Sequence, residues 1–253
     1  MLLVRALSTQ DSARSAHIIK PELGPFSGSL PWGLGPPADV CCRKDHHIDL
    51  LARLQRRLRR ERMSDLWARL GLQPEDRVLD VGGLPFNWSL LPRSPRLVML
   101  NVALPSTLAP GPPAAWVIGD GRRLPFKDGS FHLMFSNSVI EHVGDFQSQR
   151  QFAAECRRVG LGYYVQTPNR RFPVEVHLMR PFIHWLPRRW QERILRRRKS
   201  WFLREIRLLD RGEMRALFED AEIWHERMLG VSKSLIAVRH PRAGERSGDG
   251  VRT

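Results

Sequence analysis

The sequence RVLDVGG at residues 77–83 is a short apolar run that ends in an acid and two glycines. Four similar runs follow, at 96–102, 114–121, 131–137 and 162–169, each bounded by Gly, Pro, Asp or Asn. Such runs are typical of strands that are buried on both faces of a parallel sheet. Further strand candidates at 222–229 and 233–240 bring the predicted total to seven.

Helical periodicity occurs before, between and after these runs. Apolar residues recur at helical spacing over 45–72, 146–159 and 211–221. Strands that alternate with helices predict an α/β fold, a doubly wound, seven-stranded, mostly parallel sheet. Ligands bind such sheets at the carboxyl ends of the strands, so functional residues are expected there.

The predicted organisation is one domain over residues 45–240, which suits a chain of 253 residues. Helices over 45–72 precede the sheet, and a lid is expected as an insertion at 170–210. Residues 21–40 are rich in proline and glycine, so 1–44 is predicted to be a disordered or wrapping arm. Residues 241–253 are predicted to be a disordered tail.

The formal net charge of +15 is concentrated in two blocks, +5 over residues 43–62 and +7 over 187–211. Within 182–209, tryptophans and leucines fall largely on one helical face, and arginines occupy the rest. That composition is typical of an interfacial membrane helix, and it fits a lipid-like or membrane-borne acceptor. Two alternatives stay open: a lid helix packed on its own domain, and an RNA-binding face.

The glycine turn at 82–83 points to a class of ligand. Gly82 and Gly83 let the backbone approach a ligand closely. Asp80 stands just before them, where its carboxylate would repel the pyrophosphate of a dinucleotide. The same carboxylate suits a cationic ligand, such as the aminoacyl end and sulfonium of S-adenosylmethionine. The turn therefore favours a methyl donor over NAD.

Together, VLDVGG and the sequence GDGRRLPFKDGSFHLMFSNSVIEHV at 119–143 resemble the class I S-adenosylmethionine-dependent methyltransferases. Within that class the chain is similar to the type 11 group, which includes ubiquinone and menaquinone biosynthesis methyltransferases. The resemblance covers about residues 75–240 and implies a Rossmann-like fold with S-adenosylmethionine as cofactor. The cofactor-binding residues that it implies are Asp80, Gly82, Gly83, Asn101, Asp120, Gly121, Ser136 and Asn137.

The resemblance also implies a role for each group of these residues. Asp80 and the two glycines would surround the methionine and ribose portions of the cofactor. Asp120 and Gly121 would border the adenine, with Asp120 accepting from its exocyclic amine. Ser136 and Asn137 would lie beside the donor methyl.

Two departures from the family pattern stand out. Leu84, Pro85 and Phe86 follow the glycines, where the family usually has a third glycine. Asn101 ends the second predicted strand, where the family has an acid that binds both ribose hydroxyls. An amide still accepts one hydrogen bond and donates another, but without charge assistance. Weaker cofactor binding or loss of activity would follow.

Candidates for catalysis and substrate binding follow the fourth and fifth strands. His142 is the predicted general base, because histidine titrates near neutral pH, and Glu141 is the weaker second candidate. The alternative for this pair is a capping or packing role. Asn169, Arg170 and His177 are predicted to contact the substrate. The His and Cys spacings do not match a zinc site, so no metal is expected.

The sequence thus predicts a methyltransferase that acts on a small-molecule, lipid or glycan acceptor, with transfer to oxygen or carbon favoured. One alternative is an NAD-binding reductase on a similar fold. Another is a noncatalytic module that binds RNA or a protein partner through its basic helices. Three cysteines cannot form a disulfide framework, so the cytoplasm is expected, with membrane association through 182–209. Arg5, Arg14 and the nearby serines also leave a mitochondrial transit peptide open.

Overall fold

The structure is a computed structural model and describes residues 18–19, 46–104, 111–175, 180–187, 189–190, 193, 206–228 and 230–241. Most of the predicted arm at 1–44 and of the predicted tail at 241–253 therefore lies outside the described residues. The same holds for much of the predicted lid. Those predictions stay as stated above.

One eight-stranded sheet forms the centre of the fold, and its strands are numbered along the chain. In spatial order they are β1 (Ile18–Ile19), β4 (Ala114–Ile118), β3 (Arg96–Asn101), β2 (Arg77–Val81), β5 (Phe131–Asn137), β6 (Gly160–Pro168), β10 (Val231–Arg239) and β9 (Glu222–Met228). Strand β10 pairs antiparallel with both β6 and β9, and the other pairs are parallel. All seven predicted strands are present, so the predicted mostly parallel sheet is confirmed. The sheet also includes β1, two residues of the predicted arm, which pair with β4 as an eighth strand.

The insertion after β6 contains a small additional element. Strands β7 (Val174–Glu175) and β8 (Arg180–Pro181) pair antiparallel as a two-stranded ribbon outside the main sheet. A single 3-10 turn, Ile183–Trp185, follows the ribbon.

Helices cover both faces of the sheet. Helix α1 (His46–Leu70) packs Met63, Leu66 and Leu70 onto one face. Helices α2 (Phe146–Val159) and α3 (Arg211–Leu217) bury their apolar side chains on the other. Each described helix is too short or too polar to cross a bilayer.

The loops at the carboxyl edge of β2 and β4 carry no α-helix. After β2, residues 82–95 contain only a 3-10 turn, Trp88–Leu90. Pro92 and Pro95 follow that turn, and proline disfavours continuation of a helix. Residues 119–130, between β4 and β5, form turns. As a result, loops and the middle of α1, around Arg59 and Arg62, border this part of the sheet edge.

Candidate functional site

The predicted cofactor-binding residues converge at one edge of the sheet. They are Asp80 of β2, the glycines at 82 and 83, Asn101 of β3, Asp120 and Gly121 after β4, and Ser136 and Asn137 of β5. Strand register brings them together, because Asp80 lies opposite Phe135 and Asn101 lies opposite Ile118. The parallel strands point the same way, so their carboxyl ends form a common rim.

Asp80 is the most unusual group at this edge. Its side chain is fully buried, and its Oδ2 accepts a hydrogen bond from Trp88 Nε1 at 2.8 Å. Its Oδ1 accepts no hydrogen bond from any described residue. Burial raises the pKa of Asp80 to about 7, although the Trp88 hydrogen bond acts in the opposite direction. A cation that reached Oδ1 would favour the ionised carboxylate and gain a strong interaction.

The two glycines are required by their immediate surroundings. Gly82 has φ +75°, and a Cβ at this position would lie 2.5 Å from a methyl of Val139. A Cβ on Gly83 would lie 2.1 Å from both carboxylate oxygens of Asp80. Contacts this short do not occur between real atoms, so Gly82 lets the turn pass Val139 and Gly83 lets it close over the buried acid. They would also let a ligand approach the backbone.

Asn101 has a defined structural task that explains its departure from the family pattern. Its Nδ2 donates to the backbone carbonyl of Gly83 at 3.0 Å and ties β3 to the glycine turn. A carboxylate could not donate this hydrogen bond. One of the two amide hydrogens is thereby used, and the side-chain oxygen of Asn101 could accept from a ribose hydroxyl.

Asp120 is engaged by Arg122, a residue that sequence reasoning did not identify. The guanidinium of Arg122 contacts both carboxylate oxygens, with the closest pair 2.6 Å apart, and its backbone N–H donates to Oδ1 at 2.9 Å. Burial opposes ionisation of Asp120, but these hydrogen bonds outweigh it and lower its pKa. An adenine amine would have to share this carboxylate with Arg122. Gly121 lies buried against the ring of Phe152.

The end of β5 is joined to α1. Ser136 is fully buried, and its hydroxyl lies 3.4 Å from the carbonyl of Val81. Asn137 Oδ1 accepts from Arg62 Nη1 at 3.0 Å, and Arg62 Nε lies 3.3 Å from Glu226 Oε1. In the sequence, Arg62 is one member of a basic run, and no local signal marks it as a neighbour of Asn137.

Glu141 and His142 lie together in a 3-10 turn after β5, with His142 Nε2 4.0 Å from Glu141 Oε1. Glu141 is fully buried, and its Oε2 accepts from the Thr167 hydroxyl at 2.9 Å. This burial favours a positioning role for Glu141. The side chain of His142 is one-fifth exposed (20%), so it is the member of the pair that can reach a ligand. Its role as general base stays a prediction.

The predicted substrate residues after β6 make structural contacts. Asn169 Nδ2 donates to a backbone carbonyl of β10 at 2.9 Å. The guanidinium of Arg170 pairs with Asp210, and at 3.1 Å with Glu213, at the start of α3. These contacts hold the segment after β6 against α3 and β10. His177 lies outside the described residues, and substrate binding by these residues stays a prediction.

Residues 97–160 match a family model described as a methyltransferase domain. The match covers about a quarter of the chain, from β3 to α2. It includes the candidate-site residues from Asn101 to Asn137 and leaves out Asp80 and the glycine turn. The resemblance to the class I S-adenosylmethionine-dependent methyltransferases is therefore confirmed over this segment. S-adenosylmethionine, the predicted cofactor, is the methyl donor of that class. No curated protein matches the chain.

Three solved structures are similar to this chain at low identity. An S-adenosylmethionine-dependent methyltransferase from Methanosarcina mazei is 14% identical, with 68% of this chain and 95% of that chain covered and a TM-score of 0.43. A putative methyltransferase from Bacillus halodurans is 15% identical, with 70% of this chain and 94% of that chain covered and a TM-score of 0.45. Magnesium protoporphyrin IX methyltransferase from Synechocystis, solved with bound S-adenosylhomocysteine, is 11% identical, with 73% of this chain and 83% of that chain covered and a TM-score of 0.47. Similarity at these identities and TM-scores does not indicate which acceptor this protein uses.

Proposed function

We propose that this protein transfers a methyl group from S-adenosylmethionine to oxygen or carbon of a small-molecule, lipid or glycan acceptor. The observation that carries the proposal is Asp80. Its Oδ1 is buried and without a hydrogen-bond partner among the described residues, directly beneath Gly83 at the carboxyl edge of the sheet. A buried carboxylate oxygen in this setting fits the cationic aminoacyl end of the methyl donor.

Each residue at the edge then has a task toward the donor. Asp80 would hold the cationic end, and the glycine turn would follow its backbone closely. Asn101 would accept from a ribose hydroxyl through its side-chain oxygen. Asp120 would accept from the adenine amine while Arg122 holds the carboxylate in place.

The main contribution of the protein to methyl transfer would be to align the acceptor with the donor methyl. When bound, S-adenosylmethionine supplies an electrophilic methyl group that an acceptor atom attacks in line. Holding the acceptor in that alignment provides most of the rate, and a base is needed where the nucleophile must lose a proton. His142 would accept that proton, and the carboxylate of buried Glu141, 4.0 Å from Nε2, would stabilise the imidazolium that forms.

The first test is calorimetric titration of the protein with S-adenosylmethionine and S-adenosylhomocysteine. We expect micromolar affinity for both, and a loss of about tenfold in Asp120→Ala because one charged hydrogen bond is worth about 1.5 kcal/mol. Glu75→Ala is the matched control, since it removes an exposed carboxylate outside the candidate site. Equal affinities of Asp120→Ala and the parent would refute the adenine assignment.

A second function is favoured by the contacts that already occupy parts of the edge. Arg122 contacts both oxygens of Asp120, and Asn101 already donates one amide hydrogen to the carbonyl of Gly83. Because these polar groups already have partners within the protein, the edge also suits a noncatalytic module that keeps the fold and binds RNA or a protein partner. The same titration separates the two functions, because the noncatalytic module would bind neither adenosyl ligand. Binding of NADH in their place would instead support the reductase.

We also propose that the aromatic and basic segment at 182–209 contacts an anionic membrane surface through its exposed residues. Leu209, which the sequence pattern placed on the same face, is instead buried in the core. Trp185 and Trp190 are about half exposed, at 51% and 50%. Arg189 and Arg193 are exposed beside them. Exposed tryptophan next to arginine suits the boundary between lipid headgroups and acyl chains. Such contact would bring a lipid-like acceptor to the carboxyl edge of the sheet.

Vesicle sedimentation tests this contact. We expect the protein to sediment with vesicles that contain anionic phospholipid, and to be released as salt rises from about 0.05 M to about 0.5 M. The double variant Trp185→Ser, Trp190→Ser should lose about fivefold in bound fraction, since interfacial binding scales with buried apolar area. Met228→Ser, which removes another exposed apolar side chain, is the control. Indifference to vesicles, or RNA binding that withstands the double variant, would argue against the membrane proposal.

A further inference from the structure

A shallow pocket opens between α1 and the carboxyl edge of the sheet. Its lining consists of Arg59, Arg62 and Met63 of α1, Asn87 after the glycine turn, and Phe135 and Asn137 of β5. Two guanidinium groups and two amides thus border a floor made by a thioether and an aromatic ring. The pocket adjoins Asn137, the residue that is expected beside the donor methyl.

The charge around this pocket is not balanced. Arg59 is exposed, and no carboxylate of the described residues lies within ion-pair distance of it. The guanidinium carbons of Arg56 and Arg59 lie 6.0 and 5.8 Å from the centre of the Phe86 ring, which helps to hold both side chains at the edge of the sheet. Arg62 is offset by Glu226 at 3.3 Å. The pocket therefore keeps a net positive charge.

The donors at the pocket fit one chemical class of ligand. A guanidinium stays charged at every physiological pH, and its planar fork of N–H donors matches carboxylate and phosphate oxygens. The side-chain amides of Asn87 and Asn137 add neutral donors. An anion bound at this pocket would offset the repulsion among the arginines of α1.

We infer that this pocket binds an anionic group of the acceptor, a phosphate or a carboxylate. The acceptor role rests on the proposed methyltransferase function, whereas the anion site rests on the charge and geometry of the pocket. The inference narrows the acceptor to molecules that carry the anionic group close to the methylated atom. It also gives part of the basic block at 43–62 a task in the site.

The test uses the full chain at low ionic strength, with and without saturating S-adenosylhomocysteine. Phenyl phosphate and benzoate are titrated as probes that separate phosphate from carboxylate, and benzyl alcohol is the neutral comparison. We expect saturable binding of at least one anion, weakened at least about fivefold in Arg59→Gln and in Arg62→Gln, because each removes a charge-assisted contact. Arg60→Gln, which removes an exposed charge of the same helix outside the pocket, should change the affinity by about twofold or less.

Three results would overturn the inference. They are absence of saturable binding by either anion, an equal loss in Arg60→Gln, and a loss of S-adenosylhomocysteine affinity in Arg59→Gln that matches the loss for the anion. The last result would assign the pocket to the carboxylate of the cofactor. Thermal unfolding of Arg62→Gln checks that any loss does not come from the broken contact to Glu226. Anion binding in a protein that ignores S-adenosylhomocysteine would refute the methyltransferase function and leave the anion site intact.

Discussion

Replacing Asp80 by asparagine is expected to weaken S-adenosylmethionine binding by about 100-fold, because a buried charged contact is worth about 3 kcal/mol. The amide can still accept the hydrogen bond from Trp88, so the turn should keep its shape. What the variant loses is the negative charge beneath the cationic end of the ligand. Titration calorimetry at neutral pH measures the change.

The parent protein should also bind S-adenosylmethionine more tightly as the pH rises. Burial raises the pKa of Asp80 to about 7, so in the free protein the carboxyl is largely protonated at pH 5. A cationic ligand binds the ionised form, and the affinity should therefore increase about 50-fold from pH 5 to pH 7. Asp80→Asn should show no such increase. A parallel pH profile for the two proteins would contradict the assignment of Asp80.

The same raised pKa predicts how stability depends on pH. Between about pH 4 and pH 7 the folded protein holds a proton on Asp80 that the unfolded chain has lost. This group therefore lowers the free energy of unfolding by about 1.4 kcal/mol per pH unit, or about 4 kcal/mol over the whole interval, with no further loss above pH 7. Asp80→Asn has no titrating carboxyl at this position, so its free energy of unfolding should not show this decrease. We expect it to match the parent near pH 4 and to exceed it by a few kcal/mol at pH 8.

Urea unfolding of both proteins across this pH range gives the comparison directly, because the other titrating groups cancel in the difference. Asp76→Asn is the matched control, since Asp76 is a buried acid just before β2, at the end of the strand away from the site. In the titrations with S-adenosylmethionine, Asp76→Asn should have the same affinity as the parent and the same change of affinity with pH. A constant stability difference between Asp80→Asn and the parent would show that Asp80 is not held protonated.

The second large effect is expected from Gly83→Ala. The new methyl would lie 2.1 Å from the carboxylate oxygens of Asp80, so either the turn or the acid must move. Overpacking of this kind costs about 3 kcal/mol in a rigid interior. The shift should also disturb the glycine turn that Asn101 holds through the carbonyl of Gly83, and cofactor binding should fall with it.

A double-mutant cycle assigns this cost to its cause. In an Asp80→Ala background the carboxylate is gone, so Gly83→Ala should cost about 1 kcal/mol or less. Gly212→Ala is the control, because a Cβ there meets its nearest neighbour, an oxygen of Asp210, at 3.3 Å and lies in a helix where alanine is favoured. Equal costs of Gly83→Ala in the two backgrounds would show that the clash with Asp80 is not the reason for the glycine.

Much of the fold could be predicted because its signals are local. Apolar runs bounded by Gly, Pro, Asp and Asn mark the seven long strands, and helical periodicity marks α1, α2 and α3. Pro92 and Pro95 disfavour a long helix after β2, and the structure has only a 3-10 turn there. The short ribbon of β7 and β8 carries no such signal, since two residues per strand are too few for a period.

The location of the site was also predictable from the sequence, whereas the partners of its residues were not. The sequence shows which residues end each strand, and the carboxyl ends of parallel strands lie at one edge of the sheet. That edge therefore contains Asp80, Asn101, Asp120 and Asn137. Partners depend on how distant segments meet. Trp88 turns back onto the acid eight residues before it, and the sequence marks it only as a large apolar side chain.

Sequence by itself thus determined the parallel sheet, the edge that carries function and the acids and glycines that stand there, because these follow from the order of strands and turns. Only the tertiary structure decided the hydrogen-bond partners and the protonation of those groups. Strand register joins Asn101 to the carbonyl of Gly83, burial leaves Asp80 with a raised pKa, and the path of α1 sets Arg62 against Asn137. Charge state and hydrogen bonding depend on which groups exclude water from one another, and that is settled only when the chain is folded.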